Sequence, residues 1–348
     1  MARLARGEVF DPHEITIVHA MNRVVRRAFL LGDDPLTGKN YDHRKAWIEL
    51  RIRRFAAQFG IDVLVFAILS NHFHTVLRSR PDVVATWDDS EVARRWLMIC
   101  PVRKDAQGEP KEPTEAELNA IRNNPKRLKK IRSRLSDISW WMRLMCQAIG
   151  TRANREDEIT GRFWEGRFKA VKLLDEASLL ACAAYVDLNP IRAAMAETLE
   201  GSDFTSIQRR IQSRAGQSLA DAWLTPLTLD ERAEAMTSPL NPCPHHGGHR
   251  CSNLGFLALS LEEYLQLLDW TARQLAPGKR GQTPASQPPV LKRLSLEPKA
   301  WCTLVRNFGQ LFHNVAGTPH KVDHQRTRLT ARRFYLSRAA RKLFSAAA

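Results

Sequence analysis

The first third of the chain switches between two hydrophobic periods. Residues 15–20 (ITIVHA) form a short apolar, β-branched run and predict a buried strand. Over residues 43–59 the apolar positions Trp47, Leu50, Phe55 and Phe59 fall near helical spacing, with Asp42 placed to cap the helix and Gly60 to end it. Residues 61–69 (IDVLVFAIL) are too apolar and β-branched for a half-exposed strand, which predicts a central one. Ser70-Asn71 marks a turn, and residues 72–77 (HFHTVL) return as a neighbouring strand.

The pattern changes over residues 81–160. Asp89 or Ser90 can cap a short helix through Trp96, a polar stretch with prolines follows (PVRKDAQGEPKEP), and Thr114 with Glu117 forms a capping-box pattern. Residues 122–134 carry Arg122, Lys126, Arg127, Lys129, Lys130, Arg132 and Arg134 without an acid, and residues 139–149 (SWWMRLMCQAI) turn apolar; this stretch reads as a helical insertion. Residues 168–174 (FKAVKLL) predict a further strand. Asp175 can cap a helix running through Leu188 that Pro190 stops, and a short helix over 204–214 closes a first domain spanning 1–215. Residues 216–348 read as a mostly helical C-terminal extension. It holds a loop over 237–256, an amphipathic helix at Leu261–Leu275, a Gly/Pro/Ser/Gln linker over 276–289 and a basic end over 326–342. Strand, helix, strand, strand opens a ferredoxin-like α+β unit. The expected fold is therefore α+β: a ferredoxin-like antiparallel sheet with helices on one face, carrying the insertion and the extension.

Charge narrows the partners. The 348 residues hold 53 Lys and Arg against 37 Asp and Glu, a formal net charge of +16, which favours a polyanion, nucleic acid or anionic membrane. No apolar run approaches the ~18 residues a spanning helix needs. The start, MARLARGEVFDPHE, has no apolar signal-peptide core, and the six cysteines are scattered rather than arranged as a disulfide framework. These features point to a cytoplasmic, nucleic-acid-binding protein, with no membrane partner expected.

Two patterns carry chemistry. In His72-Phe73-His74 the imidazoles share one strand face about 7 Å apart, able to hold one metal ion, while Phe73 faces the core. Alone, the pattern more often describes surface or satisfied histidines. In Tyr185-Val186-Asp187-Leu188-Asn189-Pro190 a phenol and an amide four residues apart share a helix face, which also describes an ordinary helix stop.

The ordered set HAMNRVVRRAFL, SNHFH, GRFWEGRFKA and YVDLNPIRA resembles the HUH single-tyrosine transposases, especially the REP-associated tyrosine transposases, over residues 14–80 and 161–214. The resemblance implies that residues 1–215 are the catalytic domain. It implies His72, His74 and Asn189 as ligands of a divalent cation, Mg²⁺ or Mn²⁺, and Tyr185 as the nucleophile that becomes linked to a 5′-phosphate of single-stranded or hairpin DNA. It implies action in the nucleoid, by a monomer or by a homodimer that exchanges the tyrosine helix. Asn189 stands where the better-known insertion-sequence relatives carry Gln, and the separation of His74 from Tyr185 is longer than in compact members. A nickase of the replication-initiator or relaxase type and a DNA-binding protein that no longer turns over are the competing readings.

Cations mixed with flat rings suit DNA. Arg162, Trp164, Arg167, Lys169 and Lys172 precede the tyrosine helix and Arg192 follows it. Asn22, Arg23, Arg26 and Arg27 follow the first predicted strand. All are candidate DNA contacts, with core packing of Trp164 and Phe168 the plainer alternative. Cys243, His245, His246, His249 and Cys251 form a dense cluster open to a zinc site or a plain loop.

Overall fold

The computed structural model describes residues 9, 11–217, 222–228, 250–275, 288–329 and 334–345. Strand β1 (Ile17–Arg23) extends three residues beyond the apolar run. Asn22 and Arg23 are thus strand residues, and a short 3-10 turn at Val25–Arg27 follows, with Arg26 and Arg27 at positive φ. Helix α1 (His43–Gln58), strand β2 (Ile61–Ile68) and strand β3 (His72–Ser79) come next, close to the predicted positions.

Residues 81–160 are mostly helical, with a non-helical stretch at 100–114. Their five helices are α2 (Pro81–Thr86), α3 (Asp89–Ile99), α4 (Glu115–Arg122), α5 (Pro125–Leu135) and α6 (Ile138–Glu156). Asp88, not Asp89 or Ser90, caps α3, and the Thr114/Glu117 capping box closes in both directions. The basic run lies largely on α5, which buries Leu128, Ile131 and Leu135 and exposes Lys126, Lys129 and Lys130.

Strand β4 (Lys169–Leu173) leads into α7 (Glu176–Asp187), capped by Asp175. Pro190 does not stop the chain from coiling; it sits in the first turn of a new short helix, α8 (Asn189–Arg192), where a missing N–H costs nothing. Helix α9 (Ser206–Arg214) follows, then α10 (Leu261–Leu275), α11 (Pro289–Arg293), α12 (Pro298–Leu311), strand β5 (Val315–Ala316), α13 (Pro319–Leu329) and α14 (Arg338–Ser345).

The strands form one sheet in the order β2-β3-β1-β4-β5. The first four are antiparallel to their neighbours, and β5 adds parallel to β4. β2, expected to be central, is outermost, yet all eight of its residues are buried. Its free edge is satisfied from outside the sheet. The Val63 carbonyl accepts from Thr225 N–H, the Leu64 carbonyl from the Arg210 guanidinium, and the Ile68 N–H donates to the Phe204 carbonyl.

Helices cover both faces, which corrects the one-faced expectation. One face buries Val18, Ala20, Phe73 and Leu77 beneath α1 and α6. The other buries Val65, Val76, Val171 and Leu173 beneath α7 and the extension helices α10 and α12. The apolar run of β2 required this, because a strand without a polar face cannot leave either side in water. The extension therefore shares a core with the first domain. Its predicted loop and linker lie mostly outside the described residues, as do Cys243, His245, His246 and His249. Cys251 is a buried free thiol in the first core. Among the described residues no helix is long and apolar enough to cross a membrane.

Asp187, within the tyrosine motif, ties the second layer together. Fully buried, its carboxylate accepts from Ser206 Oγ (2.6 Å), Ile207 N–H (3.1 Å) and Tyr264 Oη (2.8 Å), joining α7, α9 and α10. Burial pushes its pKa up to about 6 against these donors. Asp187→Ala would strand three buried donors at about 1–3 kcal/mol each. A loss of at least about 3 kcal/mol in urea unfolding is expected, with Asp187→Asn milder because its amide oxygen still accepts. A wild-type midpoint for the alanine variant would show that the carboxylate holds nothing.

Candidate functional site

The alternation of β3 decides the site. Phe73 and Leu77 enter the first core, so His72 and His74 point to the opposite face, beneath α7. Their ring centroids are 4.9 Å apart. α7 places Tyr185 against them, 5.4 Å from the His74 ring and almost perpendicular to it. The phenol and the imidazole pair therefore meet within one chain.

A third histidine joins them. β1 pairs with β3 so that His19 stands opposite Val76 and Met21 opposite His74, all on the same face. His19 Nε2 lies 2.8 Å from His74 Nδ1, and its ring is 6.0 Å from that of Tyr185. His19 was not singled out from the sequence. Its place in an apolar strand is visible there, but the register that brings β1 beside β3 is not.

Burial governs the electrostatics. It pushes His72 down to about 3 and His19 to about 4, and holds His74 well below the usual imidazole range. Arg23 and Lys169 beside His72, and Arg192 and Arg23 near His74, push in the same direction. All three rings are neutral at pH 7, the state in which imidazole ligates metals. Burial raises the Tyr185 phenol, and Arg192 opposes the rise. The Arg192 guanidinium lies 4.7 Å from the centre of the Tyr185 ring and donates to the Arg306 carbonyl at 2.6 Å.

Two of the imidazoles keep a nitrogen open to a ligand. His74 Nε2 is buried without a hydrogen-bond partner among the described residues. His72 Nδ1 is held at 2.6 Å by Asn71 Oδ1, which leaves Nε2 to ligate. Asn189 is buried at the start of α8, one turn beyond Tyr185, and hydrogen-bonds to neither histidine nor to Tyr185 among the described residues. Among the described residues no group of three or more His, Cys, Asp or Glu is placed to hold a metal.

The candidate DNA contacts divide. Arg23 and Lys169 stand on the histidine face, facing His72 and Met21 across the strands, and Arg162 and Arg167 are exposed. Three others do not face the site. Asn22 is buried on the opposite side of β1, its amide donating to Cys146 Sγ at 3.2 Å. Lys172 is buried opposite Val18 on that same side, 4.0 Å from a Glu14 carboxylate oxygen. Trp164 packs edge-on to Phe73 and donates to the Cys146 carbonyl. Strand alternation accounts for Asn22 and Lys172: each lies one residue from a position that does face the histidines.

The extension supplies the roof. Phe308 of α12 lies 5.6 Å from the Tyr185 ring and 6.0 Å from His19. Gly309 follows, and a β-carbon there would stand 2.9 Å from the Tyr185 hydroxyl. Nothing in the sequence around Phe308 signals this contact, because it depends on the packing of α12 against α7.

Neither a family model nor a curated protein matches the chain. Among solved structures, a REP-associated tyrosine transposase bound to a REP hairpin aligns with 72% of this chain and 98% of its own at 12% identity, with a TM-score of 0.35.

Glycine to alanine within a helix normally stabilises by about 0.5–1 kcal/mol. Gly309→Ala is expected to lower stability instead, since the new methyl meets the phenol. In a Tyr185→Phe background the same change is expected to be neutral or stabilising. Identical effects in the two backgrounds, within about 0.3 kcal/mol by chemical denaturation, would place the hydroxyl elsewhere.

Proposed function

We propose that the chain is a metal-dependent tyrosine strand transferase of the HUH type, acting on single-stranded or hairpin DNA. The observation that supports this reading is the convergence of Tyr185 with His74, on the strand face that also carries His72. The strand order β2-β3-β1-β4, antiparallel throughout, agrees with a ferredoxin-like catalytic unit onto which β5 has been added.

In this reading His72, His74 and Asn189 would hold Mg²⁺ or Mn²⁺. When bound, the ion supplies Lewis-acid polarisation of the scissile phosphate. Tyr185 Oη attacks phosphorus, the bond to the 3′-oxygen breaks, and that oxygen leaves as a 3′-hydroxyl while the 5′-phosphate stays on the phenol. Arg192, over the ring, stabilises the phenolate that attack requires. Arg23 and Lys169 extend a positive surface from His72 for the flanking phosphates. The phosphotyrosine keeps the phosphoester bond, so a second 3′-hydroxyl can displace Tyr185 without a nucleotide cofactor. Tyr185 and both histidines belong to one chain, so helix exchange in a homodimer is not needed to assemble them.

A nickase of the replication-initiator or relaxase type is the second reading, and it would call on a third histidine ligand. His19 is near enough to consider, but its Nε2 is engaged with His74 Nδ1, which favours support over ligation.

The test is a denaturing gel and mass spectrum of the protein incubated with hairpin-bearing single-stranded oligonucleotides and Mn²⁺. A 5′-linked adduct on Tyr185 is expected, lost on adding EDTA and reduced at least about 10³-fold in Tyr185→Phe and His72→Ala. An adduct that persists in Tyr185→Phe would exclude the nucleophile. Affinity for the uncleaved strand is expected to fall with salt, at a log–log slope near −0.7 per phosphate contacted; a flat response would remove the phosphate-contact surface.

A further inference from the structure

Beside His72 the structure opens a cleft of about 550 Å³ that the chemistry above does not use. Its walls come from three segments: the loop after β1, the β2–β3 turn and the end of α8. The first two are locked together. Leu31 N–H donates to the Ser70 carbonyl at 2.8 Å, and Gly32 approaches Ser70 so closely that a β-carbon would stand 2.4 Å from Ser70 Oγ. The cleft is therefore preformed.

Its lining is unusual for so basic a protein. Phe29, from the loop after β1, and Met195, just past α8, are large apolar side chains of the lining left partly in water, 38% and 44% exposed. Two acidic residues, Asp33 and Asp34, and one cation, Lys39, belong to the same lining. Asp34 is spent on its own loop, accepting from Leu36 N–H and Thr37 Oγ1. Among the described residues only Asn40 donates to Asp33, and to Oδ1 alone.

We infer that this cleft is a recognition pocket for one nucleobase of the DNA strand, the base next to the phosphate held at His72 and His74. Resting on the strand-transfer reading, the inference adds to it a source of sequence preference. Asp33 and Asp34 outweigh Lys39 in the cleft and disfavour a phosphate there, so the backbone passes along His72, Arg23 and Lys169 while the neutral base turns into the cleft. A flat base covers the exposed apolar surface of Phe29 and Met195, as stacked bases do on single-strand binders. Asp33 Oδ2 accepts from an exocyclic amine. Adenine, cytosine and guanine carry such an amine and thymine does not. The pocket therefore selects an amino-bearing base at one position, with His72 as the wall shared with the reacting phosphate.

The experiment uses the full chain carrying Tyr185→Phe, so that binding is read without adduct formation. A single-stranded library randomised at the positions around the hairpin foot is partitioned between bound and free fractions and sequenced. Thymine is expected to be disfavoured at one position by at least about fivefold, the lower end of a good base contact. Asp33→Ala, which removes the acceptor, is expected to bring the ratio below about twofold, and Met195→Ala to weaken the preference for all three favoured bases; melting curves check that both variants fold. A preference that survives both substitutions, or no preference at any position, overturns the pocket. Adduct formation on Tyr185 in the otherwise wild-type chain is scored separately. A base preference without an adduct defeats the strand-transfer chemistry and leaves the pocket standing, whereas an adduct with a preference indifferent to Asp33 and Met195 defeats the pocket alone. Failure to bind single strands at all defeats both.

Discussion

The sheet has to be covered twice, and the rest of the structure depends on that requirement. β2 has no polar face, and β1, β3 and β4 each present apolar side chains in both directions, so water must be kept from two surfaces. The first surface is closed by α1 and the helical insertion. The second is closed by α7 together with helices from the last third of the chain. His19, His72 and His74 lie on this second surface. The helix that covers them carries Tyr185, so the layer that completes the core also assembles the candidate site.

Covering histidines in this way has electrostatic consequences. Three imidazoles buried together, with Arg23, Lys169 and Arg192 around them, cannot hold protons at neutral pH. Positive charge is thus concentrated on side chains that cannot ligate a cation, and lone pairs on side chains that can. Asp187 completes the separation. The one carboxylate in the tyrosine motif is turned into the core, where three hydrogen bonds hold α7 in place. Local sequence order therefore mixes groups that the fold sorts by function: Tyr185 to the site, Asp187 to the scaffold two residues later.

Much of this was legible in the sequence, for identifiable reasons. Strand alternation puts His72 and His74 together whatever else the chain does, and the capping residues Asp175 and Thr114 mark helix starts through local hydrogen bonds. What escaped depends on contacts between distant segments. β2 looked central because it is apolar throughout; it is an edge strand whose backbone is satisfied by Thr225, Arg210 and Phe204. Lys172 looked like a phosphate contact as one of the cations set among flat rings, and Asn22 because it follows the first predicted strand; a shift of one residue in strand extent or facing turns a side chain from the site to the core. His19 was hidden by register, and Phe308 by more than a hundred residues of intervening chain.

The roof over Tyr185 ties the two ends of the sequence to one another. Phe308 rests on both the phenol and His19, Gly309 leaves just the space the hydroxyl occupies, and the Arg306 carbonyl fixes the guanidinium that lies over the ring. A polypeptide cut back to the first 215 residues would keep the histidine pair and the tyrosine motif and lose the surface against which the Tyr185 ring is packed. The smallest unit that preserves this phenol's surroundings therefore runs at least through α12, and a homologue lacking that helix would have to shelter the ring by other means.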